Sequence, residues 1–235
     1  MKPYSSSASL KRLAKGQLIG NYGTAVSITL IHMLSVYLLS MVLRIFVGSG
    51  TLFQDILYLA VSFLASLFVG LFSAGEAYVY LKLACNQPIL VGDLFYCFRE
   101  EASRVLPLQA VIAGISTILL LPSALMNYLP TALQGLMLLL STVLSIVSIV
   151  LLLMLSQVFY LMLDFPDYST DQLFKSSIQL MKGSKGRLFY IQLSFLPLFL
   201  LGVLSCCIGF LWLFPFYQST MANFYLDVVK KHRTM

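Results

Sequence analysis

The sequence predicts an all-α fold, a polytopic membrane helix bundle of six transmembrane helices with amphipathic interfacial helices on the cytoplasmic side. Three observations carry the prediction. Of the 235 residues, 59% are hydrophobic and only 10% are charged, whereas a soluble domain carries about 25% charged residues. Mean hydropathy is +0.90, which one soluble core with a wettable surface does not accommodate. Apolar runs of the length that crosses hydrocarbon, about 20 residues, alternate with links of two kinds: short and uncharged, or longer and charged. The whole chain, 1–235, reads as a single integral membrane domain.

The elements follow in order. The chain opens on a basic arm around "SLKRLAKGQLIG", a weakly amphipathic helix. This start lacks a short apolar region with a small-residue cleavage site, so no cleaved signal peptide is expected and the first span acts as the uncleaved signal. That span covers about 22–47. The link "GSGTLFQ" carries no Lys or Arg and leads into a second span, 55–83. The next link, "KLACNQPILVGDLFYCFREEASR", is long and charged. Within it Val91, Leu94, Phe95, Phe98, Ala102 and Val105 fall at helical spacing, which predicts an amphipathic helix lying in the interface. A third span, 106–126, and a fourth, 133–163, flank the uncharged "NYLPTA". In the second long link, Phe174, Ser177, Ile178 and Met181 predict another interfacial helix.

Charge decides how the chain ends. The run from Leu188 to Val229 contains no Lys or Arg. As one straight helix it would rise about 63 Å, roughly twice the hydrocarbon thickness. If it crossed once, Lys230, Lys231 and Arg233 would lie outside, against the positive-inside rule. Crossing twice, as spans 188–204 and 209–229 with a turn near Ser205–Gly209, returns them inside. All but Arg44 of the 15 basic residues then share the cytoplasmic side, with both termini there. Trp212 falls near the outer interface, where Trp is enriched, and Pro215 lies inside the sixth span, which packing tolerates. The expected location is a bacterial plasma membrane.

The net charge of +6 points to anionic lipid rather than nucleic acid. Lys11, Arg12, Lys15, Lys182, Lys185, Arg187, Lys230 and Lys231 are the candidate contacts, and a membrane protein partner fits the same surface. Glu76 is the most informative acid. It lies six residues before Lys82, about 9 Å along a helix. An ionised carboxylate in hydrocarbon is costly unless paired or wet. Glu76 therefore reads either as a proton or cation site facing the bundle interior, or as a structural carboxylate bonded to a basic residue or a Tyr hydroxyl. Arg44 and Asp55 flank the first outer turn and are expected to pair across it, with Arg44 snorkelling outward. Ser66, Gly70 and Ala74, and likewise Ser141 and Ser145, recur at the spacing that lets helices approach closely. Cys206 and Cys207 read as two free thiols at a turn, and Cys85 and Cys97 as reduced.

No metal-ligand spacing, P-loop, nucleophile elbow or dinucleotide turn is present in the sequence. No catalytic residue, cofactor or metal is therefore expected. A faint internal repeat aligns Leu10-x-Arg12, Gly20-x-x-Gly23 and Ile28-x-Leu30 with Leu173-x-Lys175, Gly183-x-x-Gly186 and Ile191-x-Leu193 at equal offsets.

The last third carries a more specific pattern: Asp164-x-Pro166, then "SSIQLMKGSKGRLFYIQLSF", then "GVLSCCIGFLWLFPFYQSTMANFYLDVV". It resembles a family of uncharacterised bacterial multi-pass membrane proteins, a domain-of-unknown-function family with a GIGFLWLxPY…TxAxFY motif. Ser176 or Ser177, Met181, Gly183, Lys185, Leu188 and Phe189 match one element of that pattern. Gly209, Phe210, Leu211, Trp212, Leu213, Pro215, Thr220, Ala222, Phe224 and Tyr225 match the motif itself. Cys207 stands where the family usually has Gly, and Phe216 where it has Tyr. More distantly, the plan is similar to the membrane domain of some glycerophosphodiester phosphodiesterases, without their catalytic part. The resemblance implies a six-helix membrane plan and supplies no activity.

The expected function is a non-enzymatic membrane scaffold or accessory protein that engages anionic lipid or a partner. The alternative is a small-solute or ion transporter using Glu76, with Pro122, Pro197 and Pro215 breaking its spans. A membrane-embedded lipid enzyme is a third reading.

Overall fold

A computed structural model describes residues 5–47, 51–125 and 128–233. Lys2, the Gly48–Gly50 part of the first short link and the Met126 end of the third expected span lie outside the described residues. The helices are α1 (Ser7–Leu18), α2 (Tyr22–Val47), α3 (Leu52–Ala84), α4 (Tyr96–Arg99), α5 (Ala102–Leu125), α6 (Thr131–Leu155), α7 (Val158–Asp164), α8 (Thr170–Leu180), α9 (Lys185–Leu193), α10 (Leu196–Leu204) and α11 (Phe210–Arg233). A 3-10 turn, Val91–Phe95, precedes α4. Among the described residues there is no strand.

Five segments are long and apolar enough to cross a membrane: Tyr22–Val47, Leu52–Ala84, Ala102–Leu119, Thr131–Asp164 and Lys185–Leu204. The protein is membrane-embedded and all-helical. Two of these segments are broken. α6 passes to α7 through Ser156–Gln157, and α9 to α10 through Ser194–Phe195, where Pro197 sits in the first turn of α10 and needs no amide partner. The chain then reverses over Ser205–Gly209. Cys206 and Cys207 take φ of 52° and 67° there, and the Ser205 hydroxyl accepts from the Gly209 amide at 2.9 Å.

α11, which covers the expected sixth span, is 24 residues long but is not among the five segments apolar enough to cross on composition. Its packing gives the physical reason. Ser219, Thr220, Asn223, Phe224 and Tyr225 are all buried, and the helix contacts α1, α2, α3, α8 and α10. A helix enclosed by other helices can carry polar groups that a lipid-facing helix cannot. α6 is the opposite case, since only Leu155 of its side chains is buried.

The core is concentrated at one end of the bundle. It takes in Ala25 and Ile28 early in α2, most of the second half of α3 from Gly70, Val105 and Leu108 early in α5, Val158, Tyr160, Leu161 and Met162 on α7, and Leu188 and Ile191 on α9. These are the ends joined by the long charged links, while the ends joined by the short turns are mostly exposed. The first link packs onto α3 instead of forming one interfacial helix. Phe95 and Phe98 stand edge-on to Phe72, with centroids 6.0 and 4.8 Å from it. Tyr96 stacks on Tyr78 at 4.1 Å. A Cβ on Gly75 would collide with the Leu94 carbonyl oxygen, so this approach requires glycine.

α8 forms where expected, capped by Ser169 with Gln172 in a reciprocal box. Ser177 and Met181 are buried as expected, Leu173 and Leu180 are buried beside them, and Ile178 is 41% exposed. The Ser177 hydroxyl donates to the Met154 carbonyl at 2.7 Å, which fixes the helix against α6. The repeated segments share geometry as well as letters. Leu10 and Leu173 are buried, Ile28 and Ile191 are fully buried, and Gly20 and Gly183 have φ of 87° and 85°.

Candidate functional site

Glu76 lies on the buried half of α3, 4% exposed. His32, from α2, places Nδ1 at 2.9 Å from Glu76 Oε2. Gln218, from α11, donates Nε2–H to the same oxygen at 3.1 Å. Three helices thus converge on one carboxylate. The His32 ring lies nearly parallel to Phe72, centroids 5.9 Å apart. About one turn along each helix, Thr29 Oγ1 and Tyr80 OH share a hydrogen bond of 3.3 Å. Beside Glu76 a cavity of about 420 Å³ runs between α2 and α11, with Met33, Tyr37, Phe214 and Gln218 in its walls.

Lys82 takes no part in this cluster. It pairs with Asp93 at 2.8 Å, and Asp93 Oδ2 also accepts from the Leu90 amide at 2.9 Å, closing the 3-10 turn. Of the structural partners expected for Glu76, a basic side chain does hold it, the imidazole of His32, joined by the amide of Gln218 and not by a Tyr hydroxyl. His32 has a signal in the sequence, because it is an ionisable group well inside an apolar span. Gln218 has none, since its role depends on how α11 docks.

The expected Arg44–Asp55 ion pair does not form. Arg44 lies over the Tyr58 ring, 5.1 Å from its centroid, and Asp55 accepts from Tyr128 OH at 2.6 Å. That bond, ahead of burial, raises the Tyr128 phenol pKa. Asp55 opens α3 and turns toward the neighbouring hairpin, where a phenol meets it at the surface, while a guanidinium keeps its charge wet by lying flat on an aromatic face.

The basic residues divide into two groups. Arg12, Lys15, Lys182 and Lys230 are exposed, and Lys185 and Lys231 are partly so. Lys175, Lys182 and Lys185 surround a groove of about 550 Å³ that also takes in Ile178 and Gln179. Lys11 and Arg187 are committed inside the protein. Lys11 donates to the Ser194 carbonyl at 3.0 Å and lies 4.1 Å from the Phe195 ring centroid; burial lowers its pKa. Arg187 pairs with Asp227 at 2.6 Å and donates to the Ser5 carbonyl at 2.6 Å. Ser5 Oγ in turn donates to Asp227 at 2.8 Å. These bonds bring the N-terminal arm, the start of α9 and the end of α11 to one place.

Two further polar anchors escape sequence reading. Arg104 donates to the Met162 and Phe165 carbonyls at 3.2 and 3.0 Å, capping α7. Gln17 accepts from Asn223 at 2.7 Å and donates to the Ala84 carbonyl at 3.1 Å, tying α1 to α11 and to the end of α3. All four cysteines are free. Among the described residues no group of three or more His, Cys, Asp or Glu is arranged to hold a metal ion.

Among curated proteins and among solved structures, nothing matches the chain. A family model does match, over residues 1–232, and its description is "Protein of unknown function (DUF975)". The helical membrane architecture, the convergence on Glu76 and the basic groove are therefore features of a chain that belongs to the DUF975 family.

Proposed function

We propose that the protein is a non-enzymatic scaffold or accessory protein of the plasma membrane whose cytoplasmic rim engages anionic lipid. The observation that carries this reading is the groove at the α8–α9 junction, where Lys175, Lys182 and Lys185 meet beside the exposed apolar Ile178. An ammonium cluster next to an apolar side chain suits a phosphate headgroup with the start of its acyl chain, and each such Lys near an anionic surface contributes about 1 kcal/mol. The topology that goes with it is six spans with both termini cytoplasmic. The meeting of the arm, α9 and α11 at Asp227 supports this, as does the enclosure of α11 by five other helices. A reporter fused after Met235 that is active only outside the membrane would overturn that topology.

The lipid reading is tested by reconstituting the purified protein with vesicles of phosphatidylglycerol and phosphatidylcholine and measuring which lipid is retained on repurification. Enrichment of the anionic lipid is expected, together with loss of that enrichment in the Lys182→Glu, Lys185→Glu double variant. Equal retention of the two lipids would overturn the reading. A small-solute or ion transporter is a second reading, favoured by the convergence of His32 and Gln218 on Glu76. Flux into liposomes that is unchanged by Glu76→Gln would remove it.

A further inference from the structure

The Glu76 cavity has a chemistry opposite to that of the rim, and it goes beyond the lipid reading. Its closed end is a carboxylate, and its partners leave that charge incompletely answered. Among the described residues no Lys or Arg lies within ion-pair distance of Glu76, and His32 carries a charge only when protonated. Both polar contacts fall on Oε2, so Oε1 is the oxygen left to a guest. A buried carboxylate whose basic neighbour is a single imidazole gains from a cation brought beside it in low dielectric, which makes the site favour a positive ligand over a negative one.

The walls narrow the class further. Tyr37 and Phe214 line the cavity, and aromatic faces attract organic ammonium groups. Met33 adds a flexible thioether wall that adapts to irregular apolar shapes. Met33 and Tyr37 are 40% and 65% exposed, so the mouth opens sideways through the α2 surface, where a membrane protein meets lipid. The volume of about 420 Å³ falls in the range of small-molecule pockets, about 300–1,000 Å³.

We infer that this cavity is a binding site for an organic cation with an apolar body, entering laterally from the bilayer, its charge held by Glu76 against Tyr37 and Phe214. The site forms no covalent bond with its guest and needs no second reactant.

The test uses the full chain in neutral dodecyl maltoside micelles, with ethidium as the probe and fluorescence anisotropy as the readout. Saturable binding is expected, at least tenfold weaker in Glu76→Gln and also weakened in Phe214→Ala, which leaves both bonds to Glu76 intact. A measurement on the unaltered protein stands apart from the folding of either variant: the anionic probe anilinonaphthalenesulfonate must fail to compete with ethidium. Ethidium binding that is non-saturable, binding equal in the wild type and Glu76→Gln, or competition by the anionic probe would each overturn the inference and leave a lipid tail as the occupant. Lys182→Glu, Lys185→Glu leaves ethidium binding unchanged if the two sites are separate, and a loss there would also overturn the assignment to Glu76.

Discussion

Cys97 and Glu76 show how burial gives single side chains their character. Cys97, on α4 within the first long link, is fully buried, and burial, with a smaller contribution from Glu101, pushes its thiol up to about 12. Only the thiolate attacks an alkylating reagent. Cys97 should therefore stay unmodified by iodoacetamide at pH 8.5 while the exposed Cys85 reacts, as peptide mapping would show. Its labelling should rise with pH only toward 12 or on unfolding. Labelling of Cys97 at the rate of Cys85 at pH 8.5 would contradict this burial. Glu76 was legible in the sequence as an acid in an apolar run. Its partners were not, because a His on α2 and a Gln on α11 reach it only through packing of helices far apart in the chain. The Arg44–Asp55 pairing failed for a related reason. Proximity in sequence across a turn does not set where side chains point, and each charge found an aromatic neighbour.

At the scale of elements, the sequence marks where helices stop better than how they are faced. The turn at Ser205–Gly209 follows from length and charge alone, and the structure breaks the helix between Leu204 and Phe210. The short break at Ser156–Gln157 was not legible, since no charge, glycine or proline marks it, whereas Pro197 marks the one at Ser194–Phe195. α8 was expected from its periodicity, and Ser177 and Met181 of the expected face are buried, but Ile178 is exposed and Leu173 and Leu180 take the rest of the contact. The α10–α11 turn makes its own prediction. Cys207 holds φ of 67°, a left-handed conformation that costs a non-glycine residue roughly 1–2 kcal/mol. Cys207→Gly should stabilise the protein by on the order of 1 kcal/mol, read as a higher thermal midpoint in detergent. A lowered midpoint would show that the thiol makes a contribution larger than the backbone strain.

At the scale of the molecule, one end of the bundle is knitted together and the other is loose. The tight end depends on Asp227, where the arm, α9 and α11 meet. Asp227→Asn keeps the shape of the side chain but leaves the Arg187 charge, in a largely enclosed position, without its counter-ion. A charge-assisted hydrogen bond of this kind contributes about 1.5–3 kcal/mol. The variant should melt earlier, and a protease should cut the arm around Lys11–Lys15 sooner than in the wild type. Unchanged cleavage would mean that the Lys11 bond to Ser194 and the Gln17 bonds to Asn223 and Ala84 hold the arm without Asp227. The central place of α11 also bears on how the chain is made. The helix that contacts α1, α2 and α3 leaves the ribosome after all three. Until it arrives, Gln17 and Glu76 lack their α11 partners and the inner faces of the earlier helices stand open in the membrane. Assembly thus closes only when α11 docks, and a nascent chain stalled before α11 would present the insertion machinery with an acid in hydrocarbon that has His32 but lacks Gln218, a mark by which an unclosed bundle can be told from a closed one.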